Sequence, residues 1–275
     1  MCTLSIIPSR PDGPAGPAVG FRVVASRDEQ RDRPPALAPR WRPLNPLLAA
    51  DPAPAPVATR GIWPTDPRGG GTWIGGSDIG LVLALLNMNP EPPPALPGAL
   101  VSRGAIIPRL IASPSADAAM TTLEAIELDR FAPFRLVAIH AHDDGAPRVL
   151  EASWDRSRFG IRAWPGAWAC FASSGLGDSR VIPRVRLFEG LMSQGDPTPE
   201  VQDRYHLHVW PDRPALSVLM ARPDARTVSI TTVEVGPRPG ALPLVRMHYK
   251  PVLVEARAAR EIPVAARATG SDARV

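Results

Sequence analysis

Short apolar runs separated by turn-forming residues set the pattern of this chain. The runs "TLSIIP" (3–8) and "GFRVVAS" (20–26) are rich in residues that favour strands, and the segment between them is dense in glycine and proline. That combination predicts a β-hairpin at the start of the chain. An apolar stretch within 69–89 is bounded by glycines and by Asn87, which predicts a buried strand ending at Asn87. Further strands are predicted at 134–141, 148–154, 168–174, 215–221, 227–235 and 244–250.

Three other segments have the apolar spacing of helices. They lie at 102–111, 115–131 and 181–194. In the second of them, Ser115 precedes the helix as a candidate N-cap, and the apolar residues that follow share one broad face.

The order of these elements predicts one α+β domain over residues 1–255, with layered sheets covered by helices. Residues 31–68 are rich in proline and are expected to form a long surface excursion rather than packed structure. Residues 256–275 are expected to form a separate C-terminal tail.

Composition narrows the function further. The 275 residues carry a formal charge of +4, but the 31 basic residues, of which only Lys250 is a lysine, are spread beside 27 acidic ones, and aromatic residues make up 5%. Without a basic block or stacking aromatics, nucleic-acid binding is not expected. Two cysteines argue against a disulfide framework, and the longest apolar run, 79–88, is too short to span a membrane. No signal-peptide pattern opens the chain, so a cytoplasmic protein is expected.

The second residue is a cysteine, and this position has a chemical consequence. Cysteine has a small side chain, so removal of the initiator methionine is expected. Cys2 would then carry a thiol beside a free α-amino group whose ordinary pKa is about 7.7–8.0, which is a nucleophile with its own general base. The alternative is that the residue at position two is unconstrained.

Six short motifs occur in a recognisable order. They are "MCTL" at the start, "ASRDE" (25–29), "GGTWIG" (70–75), "LLN" (85–87), "SRG" (102–104) and "PFRLVAI" (133–139). In these motifs the chain resembles the NRDE family, which includes the transport and Golgi organization proteins. That family is similar to the choloylglycine-hydrolase and penicillin-acylase branch of the N-terminal nucleophile hydrolases. The resemblance spans roughly residues 1–250 and implies a four-layer αββα sandwich of antiparallel sheets.

The resemblance also implies a cysteine amidase or acyltransferase that cleaves a linear amide C–N bond without a cofactor. Cys2 would attack the amide carbonyl of a small-molecule substrate. Arg27 would lie near the thiolate and lower its pKa, and Asp28 would orient Arg27 or the terminal amine. Asn87 would donate its side-chain N–H to the oxyanion. Arg184, or Arg186 on the same predicted helix, would close this network or hold a substrate carboxylate.

Two positions depart from the family pattern. Ser26 stands where the family name has an asparagine, and Ser173 and Ser174 occupy the place of a second asparagine. Ser174, or Ser173 beside it, is the candidate hydroxyl donor that replaces the amide, and the alternative is a degraded site. Non-catalytic roles remain open for the other candidates. The charges at 27–29 are also typical of a solvated turn, and Asn87 is also typical of a turn. The two arginines of the helix suit a protein surface.

The remaining cysteine and the histidines give weaker signals. Cys170 lies among aromatic residues and is expected to be a buried small hydrophobe. Two H-x-H pairs, at 140–142 and 206–208, have a spacing that zinc accepts, but no third ligand is evident, so no metal is expected. The second candidate function is a non-catalytic binding or trafficking protein for a hydrophobic ligand such as haem, with His206 or His208 as the ligand to iron.

Overall fold

The computed structural model of the protein describes residues 2–10, 12, 16–44, 57–141, 145–195, 197–237 and 242–252. Within these ranges the chain forms two antiparallel sheets. The strands are β1 (Cys2–Pro8), β2 (Phe21–Gln30), β3 (Leu37–Pro43), β4 (Arg60–Thr65), β5 (Ile74–Ser77), β6 (Val82–Asn87), β7 (Phe134–Ala141), β8 (Pro147–Trp154), β9 (Phe159–Trp164), β10 (Ala169–Ser173), β11 (Ala225–Gly236) and β12 (Leu244–Pro251). The α-helices are α1 (Ile106–Leu110), α2 (Ala116–Glu124), α3 (Ile182–Ser193) and α4 (Pro199–His206).

The five-stranded sheet has the order β10-β1-β2-β11-β12. The first strand therefore lies inside the sheet, and its first residue, Cys2, is opposite Ser173 on one side and Arg27 on the other. The seven-stranded sheet runs from β3 to β9 in chain order, so each strand pairs with its neighbour in sequence. In that sheet Asn87 is opposite Phe134.

The two sheets pack face to face. Leu4 and Ile6 of β1 point into the core between them, together with residues of β6 and β7. Because successive side chains of a strand point to opposite faces, Thr3, Ser5 and Ile7 face the other way. There α3 and α4 cover the five-stranded sheet in a separate cluster.

Helices α1 and α2 cover the outer face of the seven-stranded sheet. The layers are therefore helix, sheet, sheet and helix, which confirms the predicted αββα sandwich of antiparallel sheets. Ser115 is the N-cap of α2, since its hydroxyl accepts a hydrogen bond from the backbone N–H of Ala118 at 3.1 Å. None of the helices in the described ranges is long and apolar enough to cross a membrane.

Most predicted strands and helices are present, with three kinds of difference. The segment 215–221, predicted as a strand, instead has a short 3-10 helix at Pro214–Leu216 and one isolated bridge at Ala221. Its apolar residues Val218 and Met220 are buried beneath the helical layer without joining a sheet. Strands β5 and β9 and helix α4 were not predicted.

The expectation of an unpacked excursion at 31–68 is wrong at both of its ends. Strands β3 and β4 lie inside this range and pair with each other, and Ile62 of β4 reaches the core between the sheets. Residues 45–56 and the tail predicted at 256–275 lie outside the described residues.

Candidate active site around Cys2

A cavity of about 490 Å³ lies beside the first residue of β1. The ends of β2 and β6 and the loops at 66–73 and 100–104 form its walls. Its charged residues are Arg27, Asp28, Glu29, Arg33, Asp66 and Arg103. Cys2 lines the same cavity and is partly exposed.

The sheet holds both the nitrogen and the sulfur of Cys2. The backbone N–H of Cys2 donates a hydrogen bond to Ser173 Oγ at 3.3 Å. On the opposite side, the backbone N–H of Asp28 donates to the Cys2 sulfur. Both partners follow from the register, because β10 and β2 flank the start of β1.

The thiol of Cys2 is not predisposed to ionise. Burial raises its pKa, and the positive charge of the chain terminus lowers it, while Asp28 adds a smaller rise and Arg27 a smaller decrease. The net shift is upward, so the expected lowering of this pKa by Arg27 is outweighed while Met1 is attached. Cys2 is therefore a neutral thiol at pH 7 and needs a base in order to act as a nucleophile.

Arg27 has partners other than the predicted one. Its Nη2 donates to Glu29 Oε2 at 3.1 Å and to Asp66 Oδ2 at 3.2 Å, and its guanidinium lies over the Trp73 ring, 4.4 Å from the centroid. The expectation that Asp28 orients Arg27 is wrong because alternate residues of β2 point to opposite faces. Arg27 points between the sheets, whereas the Asp28 side chain points towards α3.

Asp28 instead forms a buried ion pair with Arg184 of α3. Arg184 Nη1 lies 3.1 Å from Asp28 Oδ2, and both side chains are 0% exposed. Asp28 Oδ1 accepts a hydrogen bond from Thr227 Oγ1 at 2.6 Å, and Arg184 also donates to Thr3 Oγ1 at 2.9 Å. Arg184 thus connects the helix to the strands behind Cys2, and its burial leaves no surface for a substrate carboxylate. Arg186 is exposed on the same helix.

Asn87 and Ser173 lie near Cys2, whereas the side chain of Ser174 is part of a turn. Asn87 ends β6 and lines the cavity with Cys2, and within the described part of the chain its side-chain amide makes no hydrogen bond. Ser173 is the serine that contacts Cys2. The Ser174 hydroxyl accepts a hydrogen bond from the backbone N–H of Leu176 at 3.1 Å, so it stabilises the turn after β10.

Arg103 lines the cavity but is absent from the residues predicted for the site. It begins a 3-10 helix, Arg103–Ala105, and its Nη1 donates to the backbone oxygen of Pro133 at 2.7 Å. Burial lowers the pKa of Arg103, and this outweighs the rise caused by Glu29 and by the Cys2 sulfur when it is ionised. The motif "SRG" could have indicated that Arg103 belongs to the site, since Arg103 is its central residue.

Close backbone contact fixes the loop that carries Arg103. A Cβ added to Gly71 would lie 2.5 Å from the carbonyl carbon of Gly104, so only glycine fits at position 71 without movement of this loop. The backbone N–H of Thr72 donates to the oxygen of Gly104 at 3.1 Å. The motifs "GGTWIG" and "SRG" therefore meet and build one wall of the cavity.

His206 belongs to a buried polar cluster rather than to a ligand site. Its Nε2 lies 2.7 Å from Ser5 Oγ and its Nδ1 lies 2.7 Å from Ser26 Oγ, so both ring nitrogens are occupied. Burial, with the positive charges of Arg22 and Arg184, lowers the pKa of His206 to about 3. Ser26, which departs from the family pattern, is therefore a partner of this histidine.

The other candidates for metal or thiol chemistry are also placed. The described residues hold no group of three or more side chains suited to a metal ion, and His142 lies outside them. Cys170 is buried in the helix-facing cluster, its sulfur 3.2 Å from Tyr205 Oη, and burial raises its pKa to about 12. His208 is partly buried and packs against the ring of Trp210.

The sequence profile of the family described as "Transport and Golgi organisation 2" matches residues 1–161, more than half of the chain. The chain belongs to this family. All six motifs of the predicted resemblance lie inside the matched range. No curated protein matches the chain.

The fold also has counterparts among solved structures. The mutant C2A conjugated bile acid hydrolase from Clostridium perfringens aligns over 93% of this chain and 97% of its own, with a TM-score of 0.50 and 8% sequence identity. The penicillin V acylase from Agrobacterium tumefaciens aligns over 90% and 85%, with a TM-score of 0.48 and 10% identity. The Caenorhabditis elegans ortholog of N-acylethanolamine-hydrolyzing acid amidase aligns over 83% and 91%, with a TM-score of 0.46 and 11% identity. At 8% identity the first likeness shows a shared fold and nothing more.

Proposed function

We propose that the protein is an N-terminal cysteine hydrolase, an amidase or acyltransferase, that cleaves a linear amide C–N bond in a small molecule. The observation that carries the proposal is the position of Cys2. The first residue of an internal strand presents its thiol to a cavity of about 490 Å³, while its backbone nitrogen is held by Ser173. A nucleophile and a prospective base thus belong to one residue that the sheet fixes in place.

The proposal requires removal of Met1. The nitrogen that donates to Ser173 Oγ then becomes the α-amine of Cys2. This amine takes the thiol proton, and that transfer is needed because burial keeps the thiol neutral. Ser173 orients the amine, and the charge of Asp28 favours its protonated form once the thiolate attacks.

The chemistry then proceeds in two stages. The Cys2 sulfur bonds to the amide carbonyl carbon, and the tetrahedral oxyanion accepts a hydrogen bond from the Asn87 side chain, an interaction of about 3–4 kcal/mol in comparable sites. The C–N bond breaks and the leaving amine takes the proton from the α-ammonium of Cys2. Water or an acceptor amine, deprotonated by the same α-amine, then displaces the sulfur and releases the acyl group.

A panel of fluorogenic N-acyl aminocoumarins of increasing acyl length tests this proposal. Wild-type protein is expected to release the aminocoumarin from at least one member. Cys2→Ala removes the nucleophile and is expected to abolish release, whereas Cys170→Ser, in the buried cluster, should retain it. Release that persists in Cys2→Ala would contradict the proposal. Absence of release from every amide would favour the second candidate, a binding protein for a hydrophobic ligand.

A further inference from the structure

The cavity beside Cys2 contains a positive charge that no described residue neutralises. Arg27 and Arg33 are balanced by Glu29 and Asp66: Arg27 lies 3.1 Å from Glu29 and 3.2 Å from Asp66, and Arg33 also contacts both acids. A fifth charged residue, Asp28, is paired with a buried arginine behind the sheet.

Arg103 is the remaining charge. In the described part of the chain it forms no ion pair, and its one hydrogen bond goes from Nη1 to a backbone oxygen, that of Pro133. Its Nε and Nη2 have no partner there. These two atoms form the side of a guanidinium that binds a carboxylate with two parallel hydrogen bonds.

The position of Arg103 suits a bound ligand rather than a solvated charge. The residue is partly buried, and this burial lowers its pKa because it removes water from around the charge. The Cys2 sulfur, once it is ionised, raises the same pKa, so the thiolate and the guanidinium attract each other across the cavity. The contact between Gly71 and Gly104 fixes the loop that carries it.

Apolar side chains also line this cavity, among its polar and charged residues. Leu85, Leu100, Val101 and Trp73 line the same cavity. A ligand with an anionic group and an apolar part could therefore contact both the guanidinium of Arg103 and these apolar side chains.

We propose that Arg103 binds an anionic group, a carboxylate in the simplest case, of an amphipathic substrate whose scissile amide lies at Cys2. This inference deepens the proposed function by naming the substrate class and rests on it. Arg103 acts here as a binding residue, and the anion completes the charge balance of the cavity.

Alkylation of Cys2 by iodoacetate and by iodoacetamide tests the anion site without requiring turnover. The two reagents form the same S–C bond and release iodide, but only iodoacetate carries a carboxylate. Any change in the Cys2 pKa caused by the substitution alters both rates alike, so the ratio of the rates isolates recognition of the anion. The rates are followed by peptide mass spectrometry of the Cys2 peptide.

Arg103→Met, which keeps the apolar stem, is expected to lower the iodoacetate to iodoacetamide ratio about tenfold, the size expected for charge-assisted hydrogen bonds. Arg109→Ala is the matched control, because Arg109 is exposed on the adjoining helix, and it should leave the ratio unchanged. An unchanged ratio in Arg103→Met would overturn the inference.

Wild-type protein provides a second measurement that does not depend on the folding of a variant. Octanoate is expected to protect Cys2 from iodoacetamide at a concentration at least about tenfold lower than octanamide. Equal protection by both compounds would overturn the anion site. A protein that hydrolyses no amide but prefers octanoate would refute the proposed function alone, and an active amidase without this preference would refute the anion site alone.

Discussion

Cys2 and Cys170 belong to neighbouring strands but face different surroundings. Cys2 is partly exposed in the cavity, whereas Cys170 is buried under α3 and α4 with a pKa raised to about 12. At pH 8 iodoacetamide is therefore expected to modify Cys2 at least about tenfold faster, because the thiolate is the reactive form. Peptide mass spectrometry of a labelling time course measures both rates.

Substitution of Arg27 provides a second test of the reactivity of Cys2. Its positive charge lowers the Cys2 pKa, although burial outweighs it. Arg27→Ala should therefore slow the labelling of Cys2 at pH 8, and Arg180→Ala, which removes an exposed arginine, should not. Equal rates in Arg27→Ala and wild type would mean that Arg27 has no electrostatic influence on the thiol.

His206 gives stability a dependence on pH. Its pKa is about 3 in the folded protein and about 6.5 in an unfolded chain. Between these values the unfolded state binds the extra proton, so the contribution of His206 to stability is complete above pH 6.5 and decreases as the pH falls. From pH 7.5 to pH 5, wild type should lose about 2 kcal/mol more unfolding free energy than His206→Gln.

Urea unfolding of both proteins at the two pH values measures this difference. The comparison with His206→Gln cancels the contribution of the carboxylates, which titrate in both proteins. Parallel losses of stability in wild type and variant would show that His206 does not remain neutral and buried.

At the scale of elements, the Asp28–Arg184 pair joins α3 to β2. Because both side chains are fully buried, removal of one partner leaves an uncompensated charge in the interior. Arg184→Met should lower the free energy of unfolding by about 3–5 kcal/mol. Arg186→Met, on the exposed side of the same helix, should change it by less than about 0.5 kcal/mol.

Chemical denaturation of both variants checks this prediction. The double variant Asp28→Asn with Arg184→Met should be more stable than Arg184→Met alone, because it removes the orphaned carboxylate charge. A double variant that is no more stable than Arg184→Met would contradict the assigned pairing.

The elements also show which parts of the fold a local pattern can predict. β1, β2 and β7 were predicted because they are rich in strand-forming residues and bounded by turns. Strand β3 was missed because most of its side chains are exposed and it carries prolines, so only its pairing with β4 makes it a strand. The strand predicted at 215–221 was wrong because the apolar residues of this segment are buried in the core without forming sheet hydrogen bonds.

Helix α4 was missed although its start carries a local signal. The Thr198 hydroxyl accepts a hydrogen bond from the backbone N–H of Val201, and Pro199 is the first helical residue. The helix is short and mostly polar, so apolar spacing alone does not reveal it. Capping chemistry would have been the better guide here.

At the scale of the whole molecule, the order of motifs predicted the αββα sandwich and the family. The site was less predictable, because the sequence brings Cys2, Arg27, Asp28 and Asn87 together but does not fix the faces of β2. Because successive side chains of β2 point to opposite faces, Asp28 points towards Arg184 and Arg27 points into the cavity. The sequence also does not show that Arg103 lacks an ion pair among the described residues. That becomes clear only from the structure, where the other charges of the cavity pair with one another.

The intact mass of the purified protein, before and after treatment with an acylating β-lactone, tests whether Cys2 is an N-terminal nucleophile. We expect a mass that lacks one methionine residue and, after treatment, one added acyl group on Cys2 that is absent in Cys2→Ala and present in Cys170→Ser. Retention of Met1 on most molecules, or equal acylation of Cys2→Ala, would contradict this expectation.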